Sequence, residues 1–249
     1  MRKLFLAFIL LPAFCSAQDV ITPKSFIPDT LLFNHYFVAL HAGGSMPYAN
    51  YGSADPNTGS YNLSNQGFAN LGYNLDITGG VFITPKFGVI ANTTLTHNSF
   101  NQNIFNSNFF SIYFHFNGPY NIFQYMGGGF YNYKFNAYQS LLIYGMAGLI
   151  DANFPPVSFS DGQTNFTETL QNAKDVAFRV GLTYEKLLSE DIGLVLNGSY
   201  TGALLHYPTA TFVYSGFGAG TFYLDHVQTN PIRMTYGSLD VSIGFSLHF

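Results

Sequence analysis

Leu239-Asp240-Val241-Ser242-Ile243-Gly244-Phe245-Ser246-Leu247-His248-Phe249 alternates apolar and polar residues without a break and stops on an aromatic. A period of two makes this one strand. Leu239, Val241, Ile243, Phe245, Leu247 and Phe249 form its oily face; Asp240, Ser242, Gly244, Ser246 and His248 form its polar face. A soluble sheet can use such a strand, and so can a barrel that turns its oily face to lipid. The opposite end of the chain separates the two. Met1-Arg2-Lys3 is basic, residues 4–11 are a short apolar run, and Cys15-Ser16-Ala17 offers small residues for cleavage. Residues 1–17 therefore read as a secretory signal peptide, cut after Ala17.

Composition points the same way. Charged residues make up 9% of the chain and aromatic ones 18%, against a usual charged share of about 25%. So few charges would solvate a soluble protein of this size poorly, whereas a wall facing hydrocarbon requires their absence. Removing residues 1–17 takes two of the nine basic residues and none of the thirteen acidic ones, which leaves seven against thirteen, a net charge of −6. With no basic run, nucleic acid is excluded as a partner. The single cysteine, Cys15, falls inside the signal, so the mature chain has no thiol for disulfides or metal. A lipoprotein reading of Cys15 wants a small residue before it, but Phe14 stands there. Beyond the signal no apolar run approaches the ~20 residues of a transmembrane helix. A chain that spans lipid without helices must close into a barrel, because its backbone groups find no water there.

Period-two alternation predicts strands over 36–44, 68–82, 87–96, 122–135, 138–150, 175–187 and 192–201, with the terminal strand as the eighth. Residues 18–34, which hold Pro23 and Pro28, read as a leader ahead of the barrel domain 35–249. Short turns at 83–86, 136–137 and 188–191 alternate with long loops at 45–67, 97–121, 151–174 and 202–234. That rhythm belongs to an up-and-down antiparallel barrel with short periplasmic turns and long extracellular loops. Two strand-like segments inside the loops, 109–116 and 209–224, read as extensions or hairpins above the membrane. Had each hidden a strand pair, the barrel would have ten or twelve strands.

On these features the chain resembles the small eight-stranded outer-membrane barrels of bacteria, the family that includes the OmpA transmembrane domain and OmpX. The resemblance covers roughly residues 35–249, and its specific part is Phe249 preceded by Leu247, Phe245, Ile243 and Val241 at every second position. In that family the barrel assembly machinery reads this strand, by strand addition at an open edge. The resemblance implies a protein of the bacterial outer membrane with Phe249, Leu247 and Phe245 as its assembly signal. The peptidoglycan-binding domain of full-length OmpA-like proteins is not expected. Trp is absent, so Tyr and Phe must supply the interfacial girdles.

No H-E-x-x-H, G-x-S-x-G or P-loop occurs. Gly127-Gly128-Gly129 marks a bend or close packing on the wall, and Gly216-Phe217-Gly218-Ala219-Gly220 a loop tip. The seven histidines show no ligand spacing, and neither metal nor cofactor is expected. His97-Asn98-Ser99 resembles the His-x-Ser site of outer-membrane lipid A deacylases, in which the His activates the Ser for acyl transfer. Both residues share the outward parity that attack on lipid needs. The Glu that orients the His in that family has no counterpart, since no Asp or Glu occurs between Asp76 and Asp151. A polar strand rim is the preferred reading.

Inside the barrel, Arg179 is the one basic residue well within the predicted wall, with Asp76, Glu185 and Asp240 as inward acids. Counted along the strands, Arg179 and Asp240 stand at similar heights and can meet across the strand between them. An eight-stranded interior is just wide enough for side chains to fill, so the expectation is a salt-bridged polar plug. The function expected is non-enzymatic, structural or adhesin-like, through the four long loops. A small porin and a lipid hydrolase using His97 and Ser99 are the alternatives. Expected partners are outer-membrane lipids, the assembly machinery, and an extracellular protein or glycan, with the chain a monomer.

Overall fold

The computed structural model describes residues 35–53, 67–108, 114–116, 118–160, 164–216, 226–228 and 232–249. The predicted signal peptide with Ala17, and the leader 18–34, lie outside them. In chain order the elements begin with β1 (Tyr36–Tyr48), α1 (Ala49–Gly52), β2 (Ala69–Phe82), β3 (Phe87–Phe100), α2 (Gln102–Asn108), β4 (Phe114–Phe116), β5 (Tyr120–Asn136) and β6 (Gln139–Ala152). They continue with β7 (Val157–Ser160), β8 (Thr164–Leu170), β9 (Ala173–Leu187), β10 (Ile192–Tyr207), β11 (Ala210–Gly216), β12 (His226–Gln228) and β13 (Ile232–His248).

Eight strands close a barrel in the order β1-β13-β10-β9-β6-β5-β3-β2. All neighbours are antiparallel. The ten-strand alternative is thereby set aside. Closure satisfies the backbone of every wall strand without leaving an edge. The seam joins β1 to β13 in register from Phe37↔His248 to Tyr48↔Gly237. It is fastened beyond that ladder by Tyr36 and Phe249, whose backbones exchange hydrogen bonds of 3.0 and 3.1 Å and whose rings stack at 6.3 Å.

At one end the strands are joined by tight turns with side-chain caps. Thr84 Oγ1 accepts from the Phe87 amide at 3.0 Å and Ser189 Oγ from the Ile192 amide at 3.1 Å. Asn136 Oδ1 accepts from the Tyr138 amide at 2.9 Å, beside a bulge at Lys134/Asn136. Such local bonds fix a turn where no ladder can. At the other end the walls outrun the predicted strands: β1 reaches Tyr48, β3 Phe100 and β10 Tyr207. Residues past 44, 96 and 201 continue the wall because their backbones still have ladder partners, although their side chains lose the apolar alternation.

The outer face is apolar without cover. Leu71 and Val176 are 70% and 71% exposed, and Leu40, Ile77, Val180, Ile243 and Phe245 extend the same band. Tyr36, Phe87, Tyr133, Phe135 and Tyr138 flank it at the turn end, and Tyr48, Tyr73, Phe123 and Tyr125 toward the loop end. A continuous belt of this kind would be a liability in water; between two aromatic girdles it matches a hydrocarbon layer. Among the described residues no helix is long and apolar enough to cross a membrane. The chain spans by its strands.

Above the loop end, strands from three different loops form a second sheet in the order β12-β11-β8-β7-β4. The β7–β8 hairpin pairs with β4 through Phe116↔Val157 and with β11 through Leu170↔Ala210. The described parts of the segments 109–116 and 209–224 thus belong to this sheet and not to the barrel.

Deleting Phe249 removes both seam bonds to Tyr36 and the ring contact. Refolded in detergent, the truncated chain should unfold at lower urea than wild type. If the assembly machinery also reads Phe249, folded yield in cells should fall much further than in detergent. Equal membrane-inserted yields for the two chains would remove Phe249 as a signal.

Candidate functional site

The barrel interior is filled in three tiers. At the turn end Phe37, Phe82 and Phe130 pack in tilted and edge-to-face pairs with centroids 4.9–5.8 Å apart, backed by Ile90, Leu142 and Val195, all buried. Gly128 faces inward, and a Cβ there would run into the Gly145 carbonyl oxygen, so glycine permits the close approach of β5 and β6. At the loop end Tyr51, carried by α1, lies 4.9 Å from both Tyr120 and Tyr236. Phe154 joins Tyr120 to Tyr207. Phe68 holds a φ of 52°, costly for a residue with a Cβ, while its ring packs on Phe100 and Phe105. Tyr51 donates to Asn98 Oδ1 at 3.2 Å and Tyr120 to the Gly67 carbonyl at 2.6 Å, so the aromatic lid is pinned by polar bonds.

Between floor and lid lies Arg179, on β9 and 1% exposed. Its Nη1 donates to Asp76 Oδ1 at 3.0 Å, to Asn92 Oδ1 at 2.9 Å and to Thr94 Oγ1 at 2.7 Å. Its Nη2 donates to Gln124 Oε1 at 3.1 Å and stands 3.5 Å from Asp240 Oδ2. Its Nε donates to Thr201 Oγ1 at 2.9 Å. Asp240 is held in turn by Ser238, whose hydroxyl donates to Oδ1 at 2.7 Å, and Thr94 also bonds Asp76. The structure therefore brings Arg179, Asp76 and Asp240 together.

Glu185 does not join them. It sits nearer the turn end with Ser246 and with His248, whose Nε2 is 2.6 Å from Oε1. Glu185 faces inward, as expected, but lies six positions along β9 from Arg179, so the two side chains occupy different levels of the lumen. The partners that sequence reasoning missed are the neutral ones, Asn92, Thr94, Gln124 and Thr201. Their inward parity was readable, but amides and hydroxyls line any polar lumen and carry no individual signal.

His97 and Ser99 both lie on the outer face of β3, with Ser99 exposed. The His97 ring stacks on Tyr73 at 4.7 Å, and its Nδ1 lies 2.7 Å from Asn121 Oδ1 on β5. An amide stands where a carboxylate was sought. Phe245 and Leu247 face outward near the seam. In the second sheet Glu168 lies on the central strand β8, and partial burial raises its carboxyl above the usual carboxylate value. Among the described residues no three His, Cys, Asp or Glu side chains gather to hold a metal.

Truncating Arg179 would leave Asp76 and Asp240 buried without their cation. Breaking a buried pair in this way costs ~3–5 kcal/mol, so Arg179→Ala should clearly lower the urea midpoint of the refolded barrel. Adding Asp240→Ala should recover part of the loss by removing one orphaned charge. Wild-type protein in planar bilayers should show no steady conductance. A silent Arg179→Ala, or a steady large conductance, would mean an open, water-filled lumen.

No protein-family model and no curated protein matches the chain. Solved structures resemble it across most of its length. They include Neisserial surface protein A (12% identity, 86% of this chain and 97% of that one, TM-score 0.44). The attachment invasion locus protein Ail of Yersinia pestis is similar at 13% identity, with 87% and 100% covered and a TM-score of 0.44. The outer-membrane protease OmpT of Escherichia coli is similar at 8% identity, with 87% and 97% covered and a TM-score of 0.49. Likeness this distant carries none of their activities across. By its own strands the chain is a small, eight-stranded transmembrane β-barrel.

Proposed function

We propose that this protein is a non-enzymatic, non-conducting barrel of the bacterial outer membrane that binds an extracellular glycan or protein through its second sheet. The observation that carries the reading is that sheet. Three loops contribute to one hydrogen-bonded platform at the end opposite the tight turns. Holding loops in fixed register lowers the ordering cost that binding otherwise incurs. The loop sequences, rich in Asn, Ser, Gly, Tyr and Phe and poor in charge, suit aromatic-anchored, adaptable recognition. The filled lumen supports the non-conducting part, since an aromatic floor, a charged plug and an aromatic lid stand in series. The assembly machinery and outer-membrane lipids are its partners in biogenesis, and the barrel acts as a monomer.

The test replaces residues 157–170, the hairpin on which β4 and β11 both depend, with a short Gly-Asn-Gly turn. Wild-type barrel in nanodiscs should bind a defined subset of an immobilised glycan and matrix-protein array. The variant, checked for an intact barrel by circular dichroism, should lose that subset. Binding that survives the replacement would detach recognition from the sheet.

One observation favours a second reading, a lipid hydrolase. If Nδ1–H of His97 donates to Asn121 Oδ1, Nε2 is left as a free acceptor, the tautomer a general base needs. Against it, no carboxylate orients His97, and no hydrogen bond joins it to Ser99 among the described residues. Purified barrel incubated with lipopolysaccharide or phospholipid should release no fatty acid above background. Release abolished by both His97→Ala and Ser99→Ala would establish the hydrolase instead.

A further inference from the structure

Several polar atoms of the sealed lumen have no partner, and three of them belong to neighbouring positions. Asn74 and Asp76 are two apart on β2 and share its inward face. Thr96 stands directly across from Asn74 on β3, and His41 directly across from Asp76 on β1. The Asn74 amide nitrogen leans to the Gly44 carbonyl oxygen at 3.4 Å. Its Oδ1, together with Asp76 Oδ2 and Thr96 Oγ1, is buried without a hydrogen bond. The three residues are 0%, 1% and 0% exposed. Opposed residues of antiparallel strands hold their Cβ atoms about 4.5–5.5 Å apart and diagonal ones about 7–8 Å. Asn74 and Thr96 are opposed and Asp76 is diagonal to Thr96, a spacing that one small ligand between the three side chains can bridge.

We propose that these oxygens form a site for a single alkali-metal cation, with sodium as the physiological occupant. The donors are a carboxylate, an amide carbonyl and a hydroxyl, an all-oxygen set suited to a hard ion and lacking the His and Cys that transition metals prefer. Charge argues for a cation over a water molecule. Asp76 and Asp240 stand beside Arg179 in this interior, and Glu185, at another level, stands beside His248. With Asp240 ionised, three carboxylates stand against Arg179 and a charged His248, and a further cation would close that count in a buried interior. The cation meets Asp76 on Oδ2, whereas Arg179 holds Oδ1, so the carboxylate lies between the two positive charges. A protonated His41, also without a hydrogen bond on either ring nitrogen, is the competing source of the missing charge.

The experiment compares urea unfolding of the refolded barrel in sodium chloride and in N-methylglucamine chloride at equal ionic strength and pH 8. Sodium at ten times its dissociation constant should lower the unfolding equilibrium constant about tenfold. Thr96→Val, which removes one donor and preserves shape, should abolish the sodium dependence. Crystals of wild-type protein grown with thallium(I) should show an anomalous peak at bonding distance from Asn74, Asp76 and Thr96; this arm decides the matter if the variant fails to fold. Equal stability in the two salts, or sodium dependence that survives in Thr96→Val, would overturn the proposal. So would a thallium peak elsewhere or none. Stabilisation that comes only from acid, without sodium, would assign the charge to His41.

Discussion

The guanidinium of Arg179 touches side chains from β2, β3, β5, β10 and β13 while standing on β9. A planar group with five donors is well matched to that task, because its fork engages several acceptors at once without changing rotamer. Main-chain ladders fix each strand to its two neighbours but say little about strands facing each other across the lumen. Arg179 supplies that cross-lumen tie. It also sets what surrounds its charge, since a buried cation requires anions and acceptors: every side chain it bonds is an acid, an amide or a hydroxyl, although Met146 stands directly across from it on β6. The aromatic floor and lid bracket these contacts, and in so buried a setting each hydrogen bond is electrostatically stronger than in water.

Closure and filling together decide where chemistry can occur. The lumen is occupied, and the belt is committed to lipid. What is left exposed beyond the belt is the loop end, where wall strands project and three loops are bound into one sheet, together with the strip of outer wall that carries His97. The protein thus sets a filled, buried interior apart from the loops at its rim.

Much of the barrel was legible because lipid imposes a strict rule on each strand. Phe245, Leu247 and Phe249 alternate with Gly244, Ser246 and His248 because one face meets hydrocarbon and the other a polar lumen. Where a wall strand rises past the lipid the rule lapses, so residues 97–100 and 202–207 read as loop although their backbones remain in the ladder. The second sheet was less legible still. Segments 114–116 and 210–216 looked strand-like, but their partners lie in other loops, at Val157 and Leu170, and no local pattern announces a non-local pairing. Within the lumen, height along a strand could be counted, which brings Arg179 level with Asp240. The depth of Glu185 below Arg179 could be counted as well, along their shared strand, but which side chains of other strands meet each of them depends on the stagger of the whole barrel. For His97 the search was for an acid, and the structure offers Asn121, a type too common in this chain to single out.

A surface built from separate loops is usually free to change one loop at a time. Here β8 lies between β7 and β11, and β7 carries β4, so an insertion in any one segment would shift the register of the others. Main-chain bonds, however, are indifferent to side-chain identity. The arrangement permits wide drift in the residues displayed while holding lengths nearly constant, so related chains would differ there by substitution and not by indels.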